Sequence, residues 1–254
     1  MKKLEFSIEN ISKGYLILIN PSHPVKQYIQ MNELVPLSPY AEHVLLERQA
    51  AKVLMQIMSL LGCKNEIVPV SGYRTMQEQQ KIYADSIKEN GEIFTQKFVA
   101  IPGCSEHHTG LAIDLALNSG NMDFICPEFP YTGICGRFRE VAVKYGFIER
   151  YPADREQITK IAHEPWHFRY VGYPHSEIMK KKNLTLEEYT EYLKRFAYKR
   201  NHLQYSNHRY DYEIFYVPVE TKSNVFIELP DDISCQLSGN NEDGVVVTLW
   251  RERL

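Results

Sequence analysis

The chain has 254 residues, enough to bury a sizeable core as one domain or as one domain with an appendage. Hydrophobic residues make up 44% and charged residues 24% of it, which excludes disorder as the default expectation. The formal net charge is −3 and no apolar run approaches the ~20 residues of a transmembrane helix, so we expect neither a nucleic-acid partner nor a membrane span.

The first residues and the cysteines predict a protein that works in the cytoplasm. The start Met1-Lys2-Lys3 resembles a signal peptide, but Glu5 and Lys13 interrupt any apolar run after it. The five cysteines are an odd number, widely scattered and without a C-x-x-C pair, so they indicate neither a disulfide framework nor a cysteine zinc site.

A β-prone segment over 15–19 is followed by the first strong helix signal. Ser38 can cap this helix, Pro39 suits its first turn and Gly62 can end it. Its buried face is predicted from apolar residues at helical spacing, namely Val44, Leu45, Val53, Leu54, Ile57, Met58 and Leu61. A short strand is then predicted over 67–70.

The middle of the chain predicts a helix, a loop and a buried strand. The helix begins at Thr75, where Glu78 three residues later completes a capping box. The segment 92–105 is poorly periodic and is expected to be a long loop. Residues 111–117 predict a buried strand, in which Asp114 is the one charged residue.

Further along the chain, an irregular stretch over 118–133 precedes a predicted helix over 137–145. Residues 163–171 indicate a turn that enters a strand. A capping box formed by Thr185 and Glu188 opens the last predicted helix, which is expected to run to about Tyr198.

After residue 200 the chain becomes rich in strand signals. Three strand-like runs joined by polar turns are predicted at 212–219, 225–229 and 245–250. We therefore predict a main domain over 1–200 and a small β-rich extension over 201–254.

The segment 105–114 is the most informative part of the chain. His107 and Asp114 are residue types that bind metals, and Asp114 lies within an otherwise apolar run. A buried lone carboxylate is costly unless it is paired or bound to a metal. On these residues alone, metal binding and a buried, hydrogen-bonded Asp stay equally open.

The second informative segment is 163–167, in which Glu164 and His167 are three residues apart. A zinc hydrolase needs three protein ligands, an open position and a nearby carboxylate that accepts the proton of the attacking water. The two His and one Asp of the two segments satisfy that ligand count and leave Glu164 free as the base. Either segment alone is a weak signal, whereas together they supply complementary parts of one site.

A third candidate site residue is Arg74. Its guanidinium group offers several donors in a fixed arrangement, which suits an oxyanion or a carboxylate, although its local sequence alone favours a surface residue.

Three ordered motifs together resemble a known family. They are S-G-Y-R over 71–74, S-x-H-x-x-G-x-A-x-D over 105–114 and E-x-W-H over 164–167, and they resemble the D-alanyl-D-alanine zinc metallopeptidases. These are the VanX, VanY and VanXY dipeptidases and carboxypeptidases of glycopeptide resistance. The resemblance covers about 71–171 and is greatest to the bifunctional VanXY branch.

This resemblance implies a role for each matching residue. His107, Asp114 and His167 would bind one zinc ion per chain. Glu164 would activate the attacking water, and Arg74 would stabilise the oxyanion. The residues assigned to substrate binding are Ser71, Gln79, Ser105 and Trp166, with Ser105 and Gln79 at the substrate's C-terminal carboxylate.

The resemblance also implies a fold and an activity. The fold would be α+β, with a hedgehog or D,D-peptidase-like core of a small antiparallel sheet flanked by helices, plus the β-rich extension. The activity would be hydrolysis of D-Ala-D-Ala and removal of the terminal D-Ala from peptidoglycan precursor pentapeptides, as in resistance to vancomycin-type antibiotics.

Several alternatives stay open. A phage-type cell-wall endopeptidase is the other enzyme, and a non-catalytic hedgehog-like zinc domain is the alternative without catalysis. The extension could form a homodimer, cover the site or recognise a partner. The segments 92–103 and 118–133 are expected to set the preference between dipeptide and pentapeptide. His108 has no counterpart in the motif and is expected at the surface or behind the site.

Overall fold

A computed structural model describes residues 1–38, 41–120, 123–220 and 223–253. Pro39, predicted in the first turn of a helix, lies outside these ranges. The described residues form the predicted mixture of helices and antiparallel strands, in several small sheets.

The strands in the described residues are, in chain order, β1 (Lys2–Phe6), β2 (Leu34–Leu37), β3 (Ala41–Glu47), β4 (Ile67–Ser71), β5 (Ala112–Leu117), β6 (Phe147–Tyr151), β7 (Glu164–Tyr170), β8 (Leu203–Ser206), β9 (Tyr210–Pro218), β10 (Val225–Leu229), β11 (Ser234–Gly239) and β12 (Gly244–Glu252). The α-helices are α1 (Arg48–Leu61), α2 (Met76–Asn90), α3 (Glu92–Phe98), α4 (Gly133–Lys144), α5 (Glu156–Thr159), α6 (His175–Lys182) and α7 (Leu186–Leu193). Short 3-10 turns lie at Ile8–Ser12, Met31–Glu33 and Glu106–Thr109. No helix in the described part of the chain is long and apolar enough to cross a membrane.

The chain divides into two compact units. The larger is Ile19–Thr185, and the smaller combines Met1–Leu18 with Leu186–Leu254. These bounds differ from the predicted division at residue 200. The N-terminal segment joins the C-terminal one because β1 pairs with β10 in an antiparallel ladder.

The larger unit contains an antiparallel sheet with strand order β4-β5-β7-β6. The predicted strands at 67–70, 111–117 and 163–171 are three of its members and are confirmed. Nearly every residue of β5 is buried, as expected for a central strand with an almost continuous apolar sequence. A second, two-stranded sheet pairs β2 with β3.

The helix predicted from Ser38 to Gly62 is correct only in its second half. Its first part is the strand β3, in which Val44 and Leu46 are buried and their neighbours less so, the two-residue period of a strand. The carboxylate of Glu47 caps the true start by accepting the Gln49 and Ala50 N–H groups. Gly62 ends the helix in the left-handed conformation, as predicted. Val53, Leu54, Ile57 and Met58 of the predicted apolar face are buried in α1, whereas Leu61 is only partly buried.

The predictions for local structure elsewhere had mixed outcomes. The capping box of Thr75 and Glu78 is present at the start of α2. The predicted long loop over 92–105 begins instead with the helix α3. The predicted strand over 15–19 is not a strand, although most of these residues are buried. The helix predicted over 137–145 is α4, which starts four residues earlier at Gly133.

The smaller unit holds a sheet with strand order β11-β12-β9-β8 and the separate pair β1–β10. The three predicted strands of the tail are β9, β10 and β12 and are confirmed, whereas the more polar strands β8 and β11 were not predicted. The helix predicted from Thr185 is α7, which ends at Leu193 and not near Tyr198 as predicted. A cluster of buried apolar side chains forms the core, including Phe6, Phe215, Ile227 and Val247.

Candidate active site

Three potential metal ligands meet in the larger unit. His107 lies on the 3-10 turn Glu106–Thr109, Asp114 on β5 and His167 on β7. Asp114 and His167 are directly paired in the β5–β7 ladder, which places their side chains together. One ligand atom of each residue lies within 4.8 Å of the others, and all three residues are buried.

The ring of His107 is oriented by a backbone contact. Its Nδ1 lies 2.6 Å from the carbonyl oxygen of Gly72, and because a carbonyl can only accept, Nδ1 carries the proton. Nε2 is then the unprotonated nitrogen, and it faces Oδ2 of Asp114 at 3.2 Å. Gly72 suits this position because a Cβ there would clash with the carbonyl oxygen of Leu45.

The charges around Asp114 favour a cation between the three side chains. Burial alone would raise the pKa of Asp114, but His107 and His167 outweigh it and hold that pKa well below its usual range. Burial would lower the pKa of His167, yet the hydrogen bond of its Nδ1 to Asp114, at 2.8 Å, and the nearby carboxylate of Glu106 raise it to about 9. Two imidazoles and one carboxylate are ligand types that fit a zinc ion.

Glu164, the predicted base, lies at the start of β7 beside this cluster. Its Oε2 is 3.9 Å from Nδ1 of His167, and its side chain is 7% exposed. Burial raises its pKa to about 8. A carboxyl with a pKa near neutrality is the type of group that moves protons in catalysis.

Arg74 is held by three hydrogen bonds from its guanidinium group. Nε donates to Ser71 Oγ at 2.7 Å, Nη1 to Gln79 Oε1 at 3.4 Å and Nη2 to Asp114 Oδ2 at 2.7 Å. Its side chain is only 16% exposed. The simpler interpretation of Arg74 as a surface residue is therefore wrong.

His108 is fully buried and lies behind Arg74. Its Nδ1 lies 2.8 Å from the carbonyl oxygen of Arg74, and its Nε2 accepts the N–H of Gly103 at 3.2 Å. The expectation of a surface position was wrong, and the alternative of a place behind the site was correct. The motif did not reveal this contact, because it links residues 34 positions apart.

A cavity of about 370 Å³ lies along this cluster, within the usual size range of small-ligand pockets. Eight of the nine predicted site residues line it, namely Ser71, Arg74, Ser105, His107, Asp114, Glu164, Trp166 and His167. The ninth, Gln79, is fully buried, and its amide donates to the Ala100 carbonyl at 2.8 Å. Phe98 and Phe124, from the two segments expected to set substrate preference, also line the cavity.

A buried ionic cluster beside His167 was not predicted. Glu106 receives hydrogen bonds from Arg150 at 2.8 Å and from Arg169 at 2.7 Å, and all three side chains are fully buried. Burial alone would raise the pKa of Glu106, but the two guanidinium charges hold it well below its usual range. Arg169 lies within the predicted strand 163–171, but Arg150 follows Glu149 in a strand that was not predicted, so no local pattern singles out this cluster.

Comparisons with known proteins identify a family for this chain. The family described as VanY, D-alanyl-D-alanine carboxypeptidase, matches residues 43–173. The chain is 46% identical over 180 residues to the bifunctional D-Ala-D-Ala dipeptidase and D-Ala-D-Ala carboxypeptidase VanXYC of Enterococcus gallinarum. That alignment covers 70% of this chain and 94% of the relative.

Solved structures extend the similarity to the whole fold. The vancomycin resistance D,D-dipeptidase VanXYg in complex with a D-Ala-D-Ala phosphinate analogue matches with a TM-score of 0.95 and 48% identity, over 98% of this chain and 99% of that one. A mutant of the D,D-pentapeptidase VanY from a VanB-type cassette, in complex with Zn(II), matches with a TM-score of 0.59 and 30% identity. This match covers 69% of this chain and 98% of that one. The fold predicted from the motifs is thus confirmed, and the chain belongs to the VanY family of D-alanyl-D-alanine carboxypeptidases.

Proposed function

We propose that this chain is a zinc-dependent D,D-peptidase that hydrolyses D-Ala-D-Ala and removes the terminal D-Ala from peptidoglycan precursor peptides, in resistance to vancomycin-type antibiotics. The observation that carries the proposal is a set of three potential ligands within 4.8 Å of one another, in a cavity that Glu164 and Arg74 also line. The relatives support it, since VanXYC is a bifunctional D-Ala-D-Ala dipeptidase and carboxypeptidase and the structure of VanXYg holds a D-Ala-D-Ala phosphinate analogue.

His107, Asp114 and His167 would hold one zinc ion per chain. Two imidazoles and one carboxylate suit zinc and leave a coordination position open. The hydrogen bond from Nδ1 of His107 to Gly72 keeps Nε2 available as the ligand atom. When bound, zinc would acidify the attacking water and polarise the scissile carbonyl.

Glu164 would take the proton of the attacking water and pass it to the leaving amine. Burial raises its pKa to about 8 in the metal-free chain, and the charge of a bound zinc ion would lower that pKa toward neutrality. A base whose pKa lies near the working pH can both accept and release a proton during one turnover. The neighbouring Trp166 would wall the cavity and keep bulk water from this proton.

Arg74 would stabilise the oxyanion, because its donors are already fixed in position. Ser105 Oγ accepts the His107 N–H at 3.4 Å and keeps its own hydrogen for the substrate's C-terminal carboxylate. Ser71 and Gln79 both accept from Arg74. These two residues would act on the substrate by orienting the guanidinium group.

The replacement Glu164→Gln tests this proposal, because it keeps the size of the side chain and removes the base. We expect zinc content to be unchanged and D-alanine release from D-Ala-D-Ala to fall by about 10²–10⁴-fold. Glu66→Gln, at an exposed carboxylate of the same unit, is the matched control. Parent-level turnover by Glu164→Gln would remove Glu164 from the mechanism.

The same assay on the zinc-loaded parent chain tests the substrate. Release of D-alanine from the dipeptide and from the precursor pentapeptide, abolished by a chelator, would support the proposal. A parent chain that leaves both substrates intact would overturn it, and clearing of isolated peptidoglycan would indicate an endopeptidase instead.

We also infer that the protein works in the cytoplasm. All five cysteines are free, and Cys63 and Cys135 are buried. Unpaired cysteines are typical of a reducing compartment. Detection of the protein and its activity in the cytoplasmic fraction of producing cells would support this inference, and their presence outside the cell would contradict it.

A further inference from the structure

Glu106 is a buried carboxylate to which the catalytic scheme gives no role. Arg150 donates to its Oε1 from Nε at 2.8 Å, and Arg169 donates to the same oxygen from Nη1 at 2.7 Å. The other oxygen, Oε2, is buried and has no hydrogen-bond partner among the described residues. Both arginines therefore donate to Oε1, and Oε2 is left free to accept a hydrogen bond.

The free oxygen of Glu106 faces the ring of His167. Oε2 lies 3.6 Å from Nε2 of His167, which is also buried and also without a hydrogen-bond partner in the described part of the chain. Two facing buried polar atoms that both lack a partner are unusual in a folded protein. A proton on Nε2 and a small shift of the ring would satisfy both atoms.

Metal binding would place that proton on Nε2. A neutral imidazole carries one proton, and the other nitrogen offers its lone pair to a metal. Nδ1 of His167 is the nitrogen on the side of Asp114, at 2.8 Å from Oδ1. When Nδ1 is the ligand atom, Nε2 must carry the proton, and Oε2 of Glu106 is the acceptor that faces it.

We propose that Glu106 is a positioning residue, which holds His167 in the metal-binding tautomer through a hydrogen bond from Nε2 to Oε2. The proposal rests on the proposed function only in requiring that the three-residue cluster binds zinc. Arg150 and Arg169 keep the carboxylate ionised and stop it from turning, so that Oε2 stays directed at the ring. Carboxylates in this relation to a metal-binding His tune metal affinity in other proteins.

The replacement Glu106→Gln tests the proposal. The two arginines can donate only to the amide oxygen, so the amide nitrogen takes the place of Oε2 and donates to Nε2 of His167. That hydrogen bond keeps the proton on Nδ1 and opposes metal binding. We expect the zinc dissociation constant of the full chain, measured by competition with a chromophoric chelator, to rise about 10–100-fold. Glu66→Gln should leave it unchanged.

A second measurement uses the unmutated, zinc-loaded chain and does not depend on the folding of a variant. Long-range proton–nitrogen NMR spectra of isotope-labelled histidine distinguish a protonated ring nitrogen from a metal-bound one. We expect a protonated Nε2 and a metal-bound Nδ1 in His167. A protonated Nδ1, or a folded Glu106→Gln chain that binds zinc as tightly as the parent, overturns the proposal.

Neither measurement involves a peptide substrate. A chain that shows the expected tautomer and the expected loss of zinc affinity, but releases no D-alanine, would support the role of Glu106 and overturn the proposed function alone.

Discussion

Replacement of Arg74 by Lys tests whether directed hydrogen bonds, and not positive charge alone, stabilise the transition state. Three of its nitrogens donate, to Ser71 at 2.7 Å, Gln79 at 3.4 Å and Asp114 at 2.7 Å. Lys keeps the charge, but its single nitrogen cannot satisfy these acceptors and also face a substrate oxygen. We expect kcat for D-Ala-D-Ala to fall about 10²–10³-fold, or about 3–4 kcal/mol, the usual effect of losing one oxyanion donor.

The assay is D-alanine release at saturating substrate, with zinc content measured on the same sample. Zinc content should stay unchanged, because Arg74 supplies none of the proposed ligand atoms. Arg48→Lys is the matched control, since Arg48 is exposed and donates to the Asn32 carbonyl. A kcat for Arg74→Lys within about threefold of the parent, with zinc fully bound, would refute the reasoning.

Three further replacements test other parts of the larger unit. Asp114→Asn should weaken zinc binding at least about 100-fold in a chelator competition, because it removes a charged ligand. Gly110→Ala should lower the free energy of unfolding in urea by roughly 2–4 kcal/mol, since φ is +68° and the Cβ would lie 2.8 Å from Leu34. Burial lowers the pKa of His175 from 6.5 to about 3, so stability should decline as the pH falls through this window, because only the unfolded chain takes up the proton. His175→Asn should flatten that decline in metal-free protein.

Each of these replacements has an outcome that contradicts it. Unchanged zinc affinity in Asp114→Asn would remove Asp114 from the ligand set. A loss below about 1 kcal/mol in Gly110→Ala would mean that the backbone adapts without strain. If His175→Asn and the parent lost the same stability as the pH fell, groups other than His175 would be responsible for the decline.

Local signals predicted the ends of several elements correctly. Thr75 with Glu78, and Gly62, each determine a helix end through contacts within a few residues. The segment from 41 to 47 was predicted wrongly, because Val44 and the apolar residues after it also fit a helical period. What makes it a strand is its pairing with β2, a tertiary contact that no short window of sequence contains.

The same distinction separates the predicted site residues from those that were missed. Asp114 was identifiable because a lone charge in an apolar strand breaks a local rule. The contacts of Glu106 are with Arg150 and Arg169, 44 and 63 residues further along the chain. Only the folded sheet brings these three charges together. The local sequence therefore gave no role to Glu106, although its neighbours Ser105 and His107 were both predicted to be site residues.

The spacing of Glu164 and His167 raises a geometric difficulty that the sheet resolves. In a regular strand, residues three apart point to opposite faces, yet both of these side chains line the same cavity. The β6–β7 ladder is irregular here, since Tyr151 pairs with Glu164 and Glu149 with Phe168, so that β7 has extra residues between the two pairs. Such an irregularity changes the direction in which the following side chains point, so Glu164 and His167 can face the same cavity.

The opposite side of the cluster has a similar irregularity. In the β4–β5 ladder, Pro69 pairs with Leu115 but Ser71 pairs with Asp114, which leaves one extra residue on β4. This places Ser71 level with Asp114, where it accepts from Arg74. Register in the rest of the sheet decides which face each side chain occupies. The two irregularities bring two further side chains onto the sheet face that carries the proposed metal ligands. These are Glu164, the proposed base, and Ser71, which accepts a hydrogen bond from Arg74.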